Sequence, residues 1–310
     1  MNKKHNFKDI LEGEIVINSQ NKTIQFDKIE IPMIQRDYAQ GRGFVEKKKL
    51  VLNETGKKFI DVIFEALIQK KDVDMNFVYG SVVTNLNEKT KKEEYTFEPI
   101  DGQQRLTTLF LLYWYIGSRE LSPEESSNLM VLLNKFTYST RVSSRRFCEL
   151  LCKTKLSFKC APSEEICNFY WFFSSYKKDP TIKALLNMLD TIHEKYNSVK
   201  NPCLYADLAK LHFNILILNG FNMTEDLYIK MNARGKQLSA YENFKADLIK
   251  WMGSSTNPEN SDFNKEVVYD NRKTPYYLSI SQKLDNKWTF MIWQITKDKE
   301  KTDDKLVDPI

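Results

Sequence analysis

The stretch 106–116 is the longest strongly apolar run in the chain, eleven residues with two threonines and no charge. It is too short to cross a bilayer. The residues before it, Tyr95-Thr96-Phe97-Glu98-Pro99-Ile100, are β-rich, and Asp101-Gly102 stands between the two. The chain is therefore expected to leave a strand, turn at Asp101-Gly102 and enter a helix over about 103–116. A second β-rich stretch, 77–83, lies upstream, and the charged residues 87–94 join the two stretches as a hairpin.

Around this strand–turn–helix unit the patterns fall into two parts. Before it, the spacing predicts a short helix at 7–11, extended segments at 24–26 and 29–31, and a turn-rich stretch at 39–43. Pro32 biases Ile31 towards extended backbone. A long amphipathic helix follows at 45–69, with Phe59, Ile60, Ile63, Phe64 and Leu67 at helical spacing and Gly56 as an interruption. Beyond Gly117 the pattern is mostly helical. Ser122-Pro123-Glu124-Glu125 and Ser239-Ala240-Tyr241-Glu242 are capping boxes, the second opening a helix to about 251. Asp179-Pro180 opens another helix, and 213–218 reads as a strand. The fold class is α+β, with an α/β part at 1–118. A mostly helical part follows at 119–310 and ends in a polar tail or linker from Lys297.

Apolar residues make up 42% of the 310 and aromatics 13%, enough for a large core. A formal net charge of +5 does not describe a polycationic binder, so any nucleic-acid contact must be a local patch. The five cysteines, Cys148, Cys152, Cys160, Cys167 and Cys203, contain no C-x-x-C pair. Cys148 and Cys152 lie one helical turn apart, but neither His193 nor His212 has ligand-like spacing to them. Reduced thiols in a helical core are expected, in a reducing cytoplasm. No apolar segment follows the N-terminus, so no signal peptide and no membrane association are expected. The phosphate loop G-x-x-x-x-G-K-[ST], the G-x-G-x-x-G turn and the zinc motif H-E-x-x-H do not occur, and the three histidines form no nuclease-like cluster.

Asp101-Gly102-Gln103-Gln104-Arg105 carries the most chemistry. Gly102 lets the backbone approach a ligand, and the helix that follows offers unpaired N–H groups to an anion. Arg105 in the first turn opposes the helix dipole unless an anion bridges it to those groups. Gln103 and Gln104 supply neutral donors and acceptors for water or phosphate oxygens, and Asp101 is the candidate magnesium ligand. The plainer alternative makes Asp101 a helix cap and Arg105 a solvated side chain. Gln35-Arg36-Asp37 repeats the Gln-Arg pairing on a loop; it reads as a second phosphate clamp or as a surface arginine paired with Asp37. Gly80-Ser81 marks a bulge or a close ligand approach. Asn232, Arg234, Gly235 and Lys236 form a cationic loop before a helix, either a phosphate contact or a solvated turn. Arg141, Arg145 and Arg146 are the densest basic cluster, a DNA face or a solvated one.

Four segments resemble, in order, the N-terminal domain family of GmrSD-type modification-dependent restriction enzymes. They are 31–38 (Ile-Pro-Met-Ile-Gln-Arg-Asp-Tyr), 77–83, 100–109 (Ile-Asp-Gly-Gln-Gln-Arg-Leu-Thr-Thr-Leu) and 231–239 (Met-Asn-Ala-Arg-Gly-Lys-Gln-Leu-Ser). The resemblance implies a ParB/sulfiredoxin-like small α/β core followed by a mostly helical subdomain. It implies Mg2+-dependent binding and hydrolysis of a nucleoside triphosphate, regulating restriction of modified phage DNA. Gln35, Arg36 and Asp101 to Arg105 would inherit phosphate and catalytic roles. Gly80 and Ser81 match the strand element near the site, and Asn232, Arg234 and Gly235 the distal one. Many members continue into a His-Asn-His nuclease, so DNA cleavage is expected from a further domain or a partner chain. Ala39-Gln40 departs from the aromatic that members often carry just after the Tyr38 position. Two other functions remain: direct DNA cleavage by a ParB-like nuclease, and a non-enzymatic module that binds or senses DNA.

Overall fold

A helix that is apolar on every side has no face to give to water and must be enclosed by the rest of the fold. In the computed structural model every residue from Leu106 to Gly117 is buried. The structure describes residues 4–17, 22–32, 38–46, 49–86, 92–139, 142–218, 240–254, 262–269 and 272–284.

In chain order the elements begin with β1 (Lys4–Asn6) and α1 (Phe7–Glu12), then the hairpin β2 (Glu14–Ile17) and β3 (Lys22–Gln25), and β4 (Lys28–Ile31). A second hairpin, β5 (Gly43–Glu46) and β6 (Lys49–Leu52), leads to α2 (Glu54–Gln69), β7 (Val73–Leu86), β8 (Glu93–Asp101) and α3 (Gln103–Glu120). There follow α4 (Pro123–Leu133), β9 (Phe136–Tyr138), α5 (Val142–Cys152), α6 (Pro162–Cys167), α7 (Pro180–Ser198) and β10 (Leu211–Ile217). The last are α8 (Ala240–Gly253), β11 (Glu266–Tyr269), β12 (Arg272–Pro275) and α9 (Tyr276–Lys283).

The main sheet has the order β1-β10-β7-β8-β4-β9. β7 and β8 form the expected antiparallel hairpin, β10 and β7 run parallel, and β4 runs parallel to both β8 and β9. The chain is thus α+β. Strands from both sides of residue 118 share this one sheet, because β9 and β10 come from the later half. α3 is held on it by stacked rings, Phe110 on Phe136 at 5.0 Å, and is tied to α5 by Trp114 Nε1 donating to the Leu151 carbonyl at 3.0 Å.

The caps follow the sequence signals. Asn6 and Asp9 close α1 reciprocally, Ser122 and Glu125 close α4, and the Asp179 carboxylate accepts from the amides of Thr181 and Ile182 at the start of α7. The helix expected over 45–69 is shorter. Its first eight positions form most of the hairpin β5–β6, and α2 begins at Glu54 because the Asn53 side chain accepts from the Gly56 amide at 2.8 Å. Gly56 does not interrupt the helix. It sits in the first turn, where a Cβ would meet the Gln40 carbonyl oxygen at 2.0 Å. β9 falls in a stretch read as helical, and Ser239, the expected cap before α8, lies outside the described residues. All five cysteines are free, with Cys148 and Cys152 buried in α5. Among the described residues no helix is long and apolar enough to cross a membrane.

Candidate functional site

The turn between β8 and α3 is built by Gly102, which stands at φ +90° as the N-cap of α3. That conformation disfavours any side chain, and a Cβ there would also meet Val78 Cγ2 at 2.7 Å. The N-cap is a glycine and brings no side chain to the first backbone N–H groups of α3.

Asp101 is therefore not a helix cap. It is the last residue of β8, paired with Tyr79, and its Oδ2 accepts from Arg105 Nη2 at 3.0 Å. Arg105 is not a solvated side chain either. Its Nη2 also donates to the Phe77 carbonyl at 2.7 Å, and its Nη1 donates to the Met75 carbonyl. Those carbonyls are available because β7 is irregular there: Asn76 takes φ 64°, its amide is held by Asp74 Oδ1, and the pairing with β10 slips between His212 and Asn214. The carboxylate four residues back offsets the unfavourable position of a cation at a helix N-terminus. Asp101 also lies beside Tyr79, whose pKa rises through burial and then through that negative charge.

The two glutamines part company. Gln103 is buried and donates its amide to the Pro99 carbonyl at 2.9 Å, fastening helix to strand. Gln104 is half-buried, and its Oε1 accepts from the Gln40 amide at 3.2 Å. Gln40 Oε1 in turn accepts from the Thr108 hydroxyl at 2.7 Å, and that hydroxyl lies 2.5 Å from the buried Tyr38 hydroxyl. The segment 38–42 is further pinned by Asn53 donating to the Ala39 carbonyl and Asn187 to the Gly41 carbonyl. These partners come from the N-cap of α2, from α3 and from α7, and sequence spacing gave no sign of them.

Gln35, Arg36 and Asp37 lie outside the described residues; before them Ile31 is held on β9, and after them Tyr38 is held on α3. Ile31 pairs with Tyr138, whose hydroxyl is 3.2 Å from that of Thr107, and Tyr38 is held by Thr108. Asn232, Arg234, Gly235 and Lys236 also lie outside the described residues. Gly80 occupies a bulge, where the β7–β8 register shifts and a Cβ would meet the Glu98 carbonyl oxygen at 2.2 Å. Ser81 pairs with Glu98 across the hairpin. A cavity of about 510 Å³ opens between α2 and β7 at the Asp101–Arg105 pair, with Phe59, Met75, Phe77 and Tyr79 in its wall.

Of the basic cluster, Arg141 lies outside the described residues, and Arg145 is buried and donates to the Ser139 carbonyl at 3.1 Å. Arg146 alone of the described two is exposed, so α5 offers no continuous basic face. Among the described residues no group of three or more His, Cys, Asp or Glu is placed to hold a metal ion.

Glu98 was missed by sequence reasoning. Burial, and then the charge of Glu30 on neighbouring β4, raise its pKa to about 7. An acid whose folded pKa lies above its unfolded value binds its proton more tightly when folded. Stability should then fall as pH rises from about 4.5 to about 7 and level off above that. Glu98→Gln is expected to flatten this window and to exceed the parent chain in stability at pH 8, by up to about 3 kcal/mol. Urea melts of both proteins at pH 5 and pH 8 check this; equal pH dependence would refute it.

Residues 14–249 match the family model described as GmrSD restriction endonuclease, N-terminal domain. A search of curated proteins found no match.

Proposed function

We propose, on the premise that this chain belongs to the family of GmrSD restriction endonuclease N-terminal domains, that it binds and hydrolyses a nucleoside triphosphate at the Asp101–Arg105 turn and thereby regulates restriction of modified phage DNA. The family's role is the restriction of modified DNA.

One observation carries the reading. A helix N-terminus with glycine as its N-cap stands directly beside an arginine already held in position by Asp101 and two backbone carbonyls, at the mouth of a cavity. Backbone N–H groups and a positioned guanidinium together suit a polyphosphate. The Asp101–Arg105 pair is neutral as a unit, so further positive charge must come from elsewhere. Gln35 and Arg36 are the proposed second clamp, since Tyr38, which follows them, is held by Thr108 on α3. Asn232, Arg234 and Lys236 are the proposed contacts from the distal loop.

In hydrolysis, water attacks the terminal phosphorus while the bond to the bridging oxygen breaks. The diphosphate leaves, and the water proton passes to a phosphate oxygen or to Asp101. Gln104, half-exposed beside the helix start, is the better placed amide to orient that water; buried Gln103 holds the turn's shape. Gly80 lets β7 and β8 close tightly behind the site, and Ser81 continues that strand. Magnesium, when bound, would neutralise phosphate charge. The half-exposed carboxylate of Asp101 suits it, because this ion commonly takes one or two carboxylates and fills its shell with phosphate oxygens and water.

The test is phosphate release from each nucleoside triphosphate, with and without magnesium, beside a plasmid-nicking assay. Magnesium-dependent release without nicking is the expected result. Nicking without release would replace this reading with a direct nuclease, and DNA binding with neither activity would leave a sensor module.

A further inference from the structure

Residues 141–183 contain nine Lys and Arg against four Asp and Glu. That stretch therefore carries the chain's whole net excess of +5, and the remainder is balanced at 37 of each sign. The same stretch holds the run Phe169-Tyr170-Trp171-Phe172-Phe173. Trp171 and Phe172 are buried and pack edge-on against Phe147 of α5, with centroids 6.0 and 6.5 Å apart. Their neighbours face outward: Tyr170 is 93% exposed and Phe173 57%.

Single exposed apolar residues are ordinary on protein surfaces. Here Trp171 and Phe172 anchor the run in the core, and the two rings beside them offer an exposed aromatic platform. Phe173 meets Tyr176 edge-on at 5.7 Å. Arg146 lies close enough to Tyr176 to lower its pKa against the larger effect of burial, and exposed Lys177 follows it in the chain. Asp179 and Glu149 also face Tyr176. Asp179 is occupied at the start of α7, accepting from the amides of Thr181 and Ile182 and from the Ser143 hydroxyl.

Exposed rings beside cations in a net-positive stretch suit a polyanion with flat faces. We infer that this surface binds DNA, laying an unstacked base on Tyr170 or Phe173 and phosphates against Arg146 and Lys177. Rings accept any base by stacking, while the cations release counterions from the backbone. The inference rests on the family's restriction role and is independent of the nucleotide chemistry at Asp101.

The test measures anisotropy of two labelled duplexes, one fully paired and one with a single unpaired central base, without nucleotide. The parent chain should prefer the unpaired duplex. Tyr170→Ala with Phe173→Ala should weaken that binding at least about tenfold and abolish the preference. Its melting temperature should fall only slightly, because Tyr170 is almost wholly exposed and Phe173 gives up one edge-on contact with Tyr176. Arg146→Gln with Lys177→Gln should weaken both duplexes alike and reduce the salt slope by about two units. Full affinity in the Tyr170→Ala, Phe173→Ala protein would overturn the inference, as would a parent chain that binds neither duplex. Loss of self-association in place of DNA binding would make the platform an interface between copies. Phosphate release by the ring variant without DNA should equal the parent's, so this surface and the Asp101 turn can fail separately.

Discussion

Asp101→Ala is expected to cut nucleotide turnover by about 100-fold or more while changing nucleotide affinity only a few-fold. The carboxylate sits at the end of β8 with one oxygen on Arg105, and it caps nothing. Its removal leaves Arg105 bound to the Met75 and Phe77 carbonyls but unlocked on its third side. Loss of one positioned polar group at a reacting phosphate commonly costs two to three orders of magnitude in rate. The pair itself is partly exposed, 20% at Arg105 and 50% at Asp101, so its loss should cost under about 1 kcal/mol of stability. Turnover and melting temperature measured on one sample decide the matter. A folded protein with undiminished hydrolysis would end the catalytic assignment.

The proposed phosphate contact of Arg105, made before and during reaction, predicts that Arg105→Ala weakens nucleotide binding and hydrolysis together. The substitution should also destabilise the chain by about 2–4 kcal/mol, since two backbone carbonyls of β7 lose charged donors. Arg105→Lys keeps the charge but not the fork, and should recover part of the affinity while leaving β7 loosened. Calorimetric binding and thermal melts separate the two roles. Reduced stability with unchanged affinity would make Arg105 a strut for β7 alone.

What the sequence disclosed was local. The α1, α4 and α7 starts are written in neighbouring residues, and the strand–turn–helix at Asp101-Gly102 is announced by its own composition. The hairpin β5–β6 escaped because the apolar spacing of 45–69 runs on into α2, while the stop is the side chain of Asn53. β9 is three residues long and, among the described residues, pairs only with β4, more than 100 positions earlier. The partners that turn Arg105 from a surface cation into a fixed one lie about 30 residues upstream, on carbonyls freed by an irregular strand. Nothing in the periodicity of either segment encodes that meeting. The same holds for Gln40, Gln104 and Thr108, whose chain of hydrogen bonds joins α3 to a stretch more than 60 residues earlier.

The strand order β1-β10-β7-β8-β4-β9 also sets a timetable for synthesis. The hairpin β7–β8 can form as soon as residue 101 has left the ribosome, but β4 gains its second neighbour only with residue 138. β7 waits for residues 211–217, and β1, the first strand made, has no partner until then. For more than 100 residues of elongation the nascent chain therefore carries open strand edges beside the apolar α3, a state prone to pairing with other chains. Closure joins residues about 210 apart in sequence, at Lys4 and Asn214, which places this sheet among the slow, non-local assemblies.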